Sequence, residues 1–186
     1  AALKYLLLGA FSTGFLLYGI SMLYGATGST ILPQIIDEVQ KNGADNPLVI
    51  VGMALVVIAM SFKIAIVPFH MWTPDVYTGA PTPVTGFLSA AAKAAGFAVF
   101  VRVLLTGIPL DGANWENVLW ILAVLSMTVG NLMALRQSEV KRMLAFSSIA
   151  HAGYVLVAVV VGSASAISGV IFYSFAYAVM GTGAFG

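Results

Sequence analysis

Apolar residues in this chain come in long blocks separated by short polar stretches, with neither the two-residue alternation of barrel strands nor the narrow apolar stripe of a soluble helix. A hydrocarbon core about 30 Å thick needs roughly 20 residues of helix. Blocks of that length run from about Tyr5 to Gly25, Pro47 to Pro68, Thr82 to Thr106, Trp115 to Leu135, Leu144 to Val161, and Ala166 to the chain end. The pattern predicts an all-α fold, a polytopic membrane helix bundle of about six transmembrane helices. Between the blocks lie the polar loops "ATGSTILPQIIDEVQKNGAD", "GIPLDGAN" and "RQSEVKR", and a proline-rich segment between the second and third spans.

Composition agrees: of 186 residues, 60% are hydrophobic and 8% charged, with a mean hydropathy of +1.00. A net charge of +1 builds neither a basic face nor an acidic tail, so nucleic acid is not an expected partner. With no cysteine, disulfides and cysteine-ligated iron-sulfur or zinc sites are excluded from this chain. The start at Ala1-Ala2-Leu3-Lys4 and the stop inside the apolar run "YAVMGTGAFG" read as a piece of a longer protein. Lys4, Arg136, Lys141 and Arg142 fall on one side with the 69–81 loop, and Lys41 and Arg102 on the other. The positive-inside rule makes the first side cytoplasmic.

Against this background the charges inside the blocks stand out. Lys93, in "LSAAAKAAGFAVF", sits about eleven residues into the third span, near mid-membrane. A central lysine costs on the order of 3 kcal/mol to insert and is expected to face the bundle interior or water. Lys63 lies about six residues before the proline-rich loop, where snorkelling to the surface competes with burial at a functional site. Pro68 bears on the choice, because it cannot donate to the Ile64 carbonyl and its ring disfavours a helical Val67. We therefore expect one discontinuous helix, interrupted beside Lys63. Broken membrane helices are tolerated where protein or water satisfies the freed backbone groups.

Every carboxylate (Asp37, Glu38, Asp45, Asp75, Asp111, Glu116, Glu139) is expected in a loop or at a span end, which leaves the two lysines without a counter-ion at depth in this chain. Ser147, Ser148, His151 and Tyr154 follow helical spacing and form a polar stripe on the fifth span. His151 on that stripe can relay protons near neutral pH or bond structurally to a neighbouring helix. His70, between Phe69 and Trp72, reads by itself as an interfacial anchor, and Trp72, Trp115 and Trp120 read the same way. Two separated histidines without a nearby carboxylate do not make a metal site.

The stretch "FKIAIVPFHMWTPDVYTGAPTPVTGFLSAAAKAAGFAVFVR" resembles the antiporter-like membrane subunits of respiratory complex I and its relatives. The resemblance extends through "LKYLLLGAFSTGFLLYGISMLYGATGS", "GNLMALRQSEVKRMLAFSSIAHAGY" and the final "GAFG". Within that family, "TPDVYTGAP" and a lysine at position 93 favour one subunit type over its two larger relatives. The resemblance implies two inverted five-helix repeats, each with a discontinuous helix, and a charged axis at mid-membrane. Residues 1–106 would end the first repeat and 115–186 would begin the second. Lys63 would be the lysine of the first broken helix, Lys93 the connecting lysine, and His70 and His151 relay or gating histidines. The family's glutamate partner and terminal lysine would lie on helices outside this sequence.

The implied function is proton translocation as a subunit of NADH:quinone oxidoreductase, a translocase, in an energy-transducing membrane such as the bacterial inner membrane. Partners would be the other membrane subunits of complex I, the lipid bilayer and protons. No cofactor is expected in this chain; quinone, NADH, FMN and iron-sulfur clusters would sit elsewhere in the complex. The competing readings are a subunit of a Mrp-type sodium/proton antiporter or membrane hydrogenase, and a purely structural membrane subunit whose lysines only fix helix packing.

Overall fold

A computed structural model of the chain describes residues 1–42, 46–107 and 115–185. Two of the carboxylates named above, Asp45 and Asp111, lie outside the described residues. Within them the apolar blocks are helices: α1 (Ala2–Thr27), α3 (Pro47–Ile64), α7 (Trp115–Leu135), α8 (Val140–Val161) and α9 (Ala164–Phe185). The third block is a composite of α5 (Thr82–Phe87), a π-helical turn over Leu88–Ala92, and α6 (Lys93–Gly107). Six helical stretches are long and apolar enough to cross a membrane, as the pattern predicts. No strand occurs among the described residues.

Local signals account for the helix ends. Asn46 caps α3 by accepting from the Leu48 amide at 3.0 Å, with Pro47 in the first turn, where a missing N–H costs nothing. The helix pairs are held by close backbone approach, the usual device where lipid removes the hydrophobic drive between helices. A Cβ placed on Gly130 of α7 would sit 2.6 Å from the Ala150 nitrogen of α8, so only a residue without a side chain fits that crossing. Gly19 of α1 meets α3 in the same way, with the Gly52 carbonyl 2.7 Å from where its Cβ would be.

Two expectations need correction. The stretch read as a polar loop contains an amphipathic helix, α2 (Leu32–Asn42), which buries Ile35 and Val39 and packs on α6. Leu32, Ile35 and Val39 repeat at three- and four-residue steps, so the signal was present, but it is shorter than a span and diluted by Asp37, Glu38 and Lys41. Asp37 and Glu38 therefore lie on a helix rather than in a loop. Trp72, read as an interfacial anchor, is buried: it packs against Tyr5 and Phe62, and its indole N–H donates to the Phe62 carbonyl at 2.9 Å.

The apolar core falls into two clusters. The larger joins α1, α2, α3, α6, α7 and α8 through residues such as Val39, Met53, Phe100, Leu119 and Leu156. The smaller gathers Trp72, Val76, Tyr77, Phe146 and Ile149 under the short helix α4 (Thr73–Gly79). Large side chains on the outer faces of α1 and α9, among them Phe11, Phe172 and Phe175, are exposed in this chain. In an aqueous protein such faces would be a liability, whereas lipid or neighbouring helices cover them in a bilayer.

Candidate functional site

The chain leaves its second span at the residue after Ile64. Ala65 takes a left-handed conformation with φ of 61°, its amide donates to the Phe62 carbonyl at 3.1 Å, and the Ile66 amide donates to the Ser61 carbonyl at 2.9 Å. This double closure is a Schellman turn, with an alanine where glycine is usual. A non-glycine residue in that region is strained by about 1 kcal/mol or more and persists only where its surroundings hold it. The helix thus ends at Ile64, four residues before Pro68. The discontinuity expected from Pro68 is present, but the turn at Ala65 starts it, and exposed Pro68 continues it through a cis Val67–Pro68 bond.

The freed backbone groups at the break find partners in the protein. The Val67 amide donates to the Ser126 hydroxyl of α7 at 3.0 Å, and that hydroxyl donates to its own helix at Leu122. Trp72 takes the Phe62 carbonyl, as described above. Beyond the turn the chain re-enters helix as α4, so the broken element runs from Pro47 to Gly79. Five buried side-chain atoms lack a hydrogen-bond partner among the described residues, and four belong to this element: Ser61 Oγ, His70 Nδ1, Thr73 Oγ1 and Thr78 Oγ1. Buried polar atoms are nearly always paired, and small polar spaces of this kind suit water.

Lys63 is the last but one residue of α3, where a cation complements the carbonyl end of the helix. Of the two readings of Lys63, snorkelling and burial, burial does not hold within this chain. Lys63 is exposed and faces a groove of about 530 Å³ lined by Tyr5, Leu6, Gly9, Ala10 and Thr13 of α1, which no described residue covers. On its other flank, Gly96 of α6 brings that helix against Ile64 and the Lys63 stem.

Lys93 follows the π-helical turn directly, a local rewinding of a kind often found at functional positions. It is 4% exposed, and its ammonium donates to both the carbonyl and the hydroxyl of Ser148 on α8, each at 2.5 Å. Among the described residues the ion pairs are Lys4–Asp75, Arg142–Asp75 and Lys41–Glu38, and Lys93 joins none of them. The inference that this lysine has no carboxylate partner here therefore stands for the described residues. His151 is one turn further along α8, and its Nδ1 bonds the Tyr173 hydroxyl of α9 at 2.5 Å. Lys93, His151, Tyr173, Ser174 and Tyr177 line one small cavity of about 10 Å³, room for about one water.

The structure thus brings Lys93 and His151 together, while Lys63 faces the α1 groove with its stem near Gly96, and His70 lies apart, half-buried in the turn of the broken helix. Sequence reasoning missed Tyr173 and Tyr177. The two tyrosines sit four residues apart on one face of α9, a signal that was available. Of the expected polar stripe, Ser148 and His151 point into the site, whereas Tyr154 is 40% exposed and its hydroxyl accepts from Asn131.

At the end of the bundle assigned to the cytoplasmic side, Asp75 of α4 takes Lys4 of α1 and Arg142 of α8, the latter at 2.8 Å, and Lys141 donates to the Ala80 carbonyl at 3.1 Å. Hydrogen bonds from Lys4 and then Arg142 hold the Asp75 carboxyl below the usual carboxylate value of 3.8. Because the folded value is depressed, the latch contributes fully above pH 3.8 and is lost as pH falls through the lower folded value. The pairs are about a third or more exposed, so each contributes about 1 kcal/mol or less. We expect the protection factors of the α4 amides, which correct for the intrinsic pH dependence of exchange, to fall on acidification through that window, and Asp75→Asn to show the lower protection already at pH 7. Equal exchange in the two proteins at pH 7 would remove the latch.

Residues 1–186 match the family described as NADH:quinone oxidoreductase/Mrp antiporter, TM. The NADH-quinone oxidoreductase subunit N of Trichlorobacter lovleyi is 58% identical over the whole chain, which spans 38% of that relative's length. Among solved structures, a chain of respiratory complex I from Thermus thermophilus, with bound aureothin, superposes with a TM-score of 0.81 at 44% identity, over 99% of this chain and 38% of that one. A chain of the archaeal membrane-bound sulfane sulfur reductase superposes with a TM-score of 0.88 at 31% identity, over 97% of this chain and 37% of that one. The broken helix, the lysine at its end and the buried Lys93–Ser148 contact thus sit in a chain that belongs to the NADH:quinone oxidoreductase/Mrp antiporter transmembrane family.

Proposed function

We propose that the chain is part of the proton-translocating core of a subunit N of NADH:quinone oxidoreductase in a bacterial inner membrane. Residues 1–106 close one structural repeat and 115–186 open the next. Lys63, Lys93 and His151 carry the proton path, His70 gates it at the broken helix, and Pro68 belongs to the break. The other membrane subunits of the complex are its partners, and quinone, NADH, FMN and iron-sulfur clusters are handled elsewhere in that complex. The observation that carries this reading is Lys93, a buried lysine whose ammonium is held, among the described residues, by neutral oxygens of Ser148 and shares a cavity with His151. Lysine gives up its proton readily when buried, which arginine does not, and so can act as a carrier. The unpaired hydroxyls along the broken helix supply polar positions for a hydrated approach.

The sulfane sulfur reductase likeness supports a second reading, in which the same axis serves a related respiratory complex. Flanking genes for the remaining complex I subunits favour the first reading, and genes for a different electron-transfer module favour the second. The function itself is tested with the full-length subunit in its complex, reconstituted into sealed vesicles, by comparing proton uptake with NADH oxidation. Lys93→Ala is expected to lower proton uptake by roughly 100-fold, as for loss of an acid–base group, while the complex remains assembled. Uptake at the wild-type proton-to-electron ratio in Lys93→Ala would leave the lysine a packing element.

A further inference from the structure

His151 is held by both ring contact and a hydrogen bond. Its imidazole packs against three tyrosines: Tyr177 with ring centroids 4.9 Å apart, Tyr154 at 5.5 Å and nearly perpendicular, and Tyr173 at 5.9 Å. The Tyr154 hydroxyl is engaged elsewhere, accepting from Asn131 at 3.2 Å, whereas the Tyr173 hydroxyl bonds Nδ1 of the imidazole at 2.5 Å. The rings restrict the plane of the imidazole, and the Tyr173 hydroxyl fixes which edge faces α9. A neutral imidazole has one N–H and one bare nitrogen, and the bond made by one nitrogen decides the state of the other. If the phenol donated to Nδ1, Nε2 would already hold its hydrogen, and the ring could take a further proton only at Nδ1, by breaking that bond. If Nδ1–H donates to the phenol oxygen, Nε2 is a free base and the bond stands in both charge states.

We propose that Tyr173 is a positioning residue for His151: its phenol oxygen accepts from Nδ1–H and so keeps Nε2 as the nitrogen that takes and releases the transported proton. The proposal rests on the reading of His151 as a carrier in the proton path. The Lys93 ammonium donates two of its three hydrogens to the Ser148 oxygens and keeps one, and it lines with His151 a cavity that has room for about one water. In the transfer, the ammonium gives a proton to that water and the water gives one to Nε2, which leaves a neutral amine and an imidazolium. Tyr173 neither gains nor loses a proton, and its contact with Nδ1 is the same before and after the step.

The test uses the complete complex in sealed vesicles and reads proton uptake against NADH oxidation, in ordinary and in heavy water, for Tyr173→Phe, His151→Gln and the double variant, with Tyr154→Phe as control. Tyr173→Phe keeps the ring and removes the hydroxyl. It is expected to slow uptake about tenfold, the factor for one lost hydrogen bond to a charged group. The ratio of rates in ordinary and heavy water is expected to rise with it, because transfer at His151 becomes the slow step. Tyr154→Phe, which keeps a comparably close ring and loses a hydroxyl engaged elsewhere, is expected to pump at the wild-type rate. The double variant is expected to be no slower than His151→Gln, because Tyr173 acts through that histidine. Wild-type uptake in Tyr173→Phe, a slowed rate with an unchanged isotope ratio, an equal loss in Tyr154→Phe, or independent effects in the double variant would each overturn the proposal. If Tyr173→Phe fails to assemble, para-aminophenylalanine at position 173 decides, since it keeps the shape and a donor but is a poor acceptor: slowed uptake supports the assigned tautomer, and the wild-type rate overturns it. Should His151→Gln itself pump normally, the carrier reading of His151 fails; loss in His151→Gln with none in Tyr173→Phe removes only this inference.

Discussion

Lys63→Ala, in an assembled complex, is expected to reduce proton uptake by roughly 100-fold, the low end for removing an acid–base group. The position has three properties that together make the effect large. It closes α3, so its charge sits at the carbonyl end of a helix that stops inside the bundle. It faces the α1 groove on one side and meets α6 near Lys93 on the other. It is also followed by a turn whose strain the surrounding contacts must hold, so the helix end that carries Lys63 is fixed in place. Lys63→Arg separates two roles. Arginine keeps the charge but does not release its proton, so a carrier fails in both variants, whereas a fixed electrostatic element is rescued by arginine. Wild-type pumping in Lys63→Ala sinks both.

Gly130→Val is expected to prevent accumulation of the assembled subunit. Any Cβ at this position falls 2.6 Å from the Ala150 nitrogen and 2.9 Å from its Cα, atoms of helix backbone that cannot move aside singly. The two helices would have to part along their length, and α8 carries Ser148 and His151 into the site. Overpacking typically costs about 1 to 3 kcal/mol, and more where the obstructing atoms are backbone. The comparison is Gly25→Val, where a Cβ meets nothing within 4 Å. Native-gel abundance and the Tm of the solubilised complex read the difference. Equal abundance and Tm for both variants would mean that the α7–α8 crossing is looser than this geometry.

Much of this architecture was legible before any coordinates, and for a physical reason. The bilayer forces each crossing segment to satisfy its own backbone, so a block of about 20 apolar residues has one outcome. The same pressure makes a mid-block lysine conspicuous, which is why Lys93 could be read as interior from its neighbours alone. Shorter features lacked such forcing. The α2 helix is only 11 residues, and its amphipathic signal is set by packing against α6, a contact between segments far apart in the chain. The break was sensed from Pro68, but its start at Ala65 follows from partners that the local sequence does not contain: Ser126 for the Val67 amide and Trp72 for the Phe62 carbonyl. Burial of Lys63 was favoured over snorkelling by the break that Pro68 predicts beside it, yet burial depends on which surfaces lie opposite, and the facing groove is open in this chain.

The sequence by itself determined the number of apolar spans, their order, the ends at which the positive residues gather, and which lysine and histidines to watch, because hydropathy and helical period are local properties. Tertiary structure alone decided who meets whom. It brought Lys93 of α6 to Ser148 of α8 and set Tyr173 of α9 against His151. Those contacts join residues 55 and 22 positions apart, and no periodicity in the chain encodes such distances. They depend on close helix crossings at glycine, Gly96 against α3 and Gly130 against α8, which set α6 and α8 in place around the site.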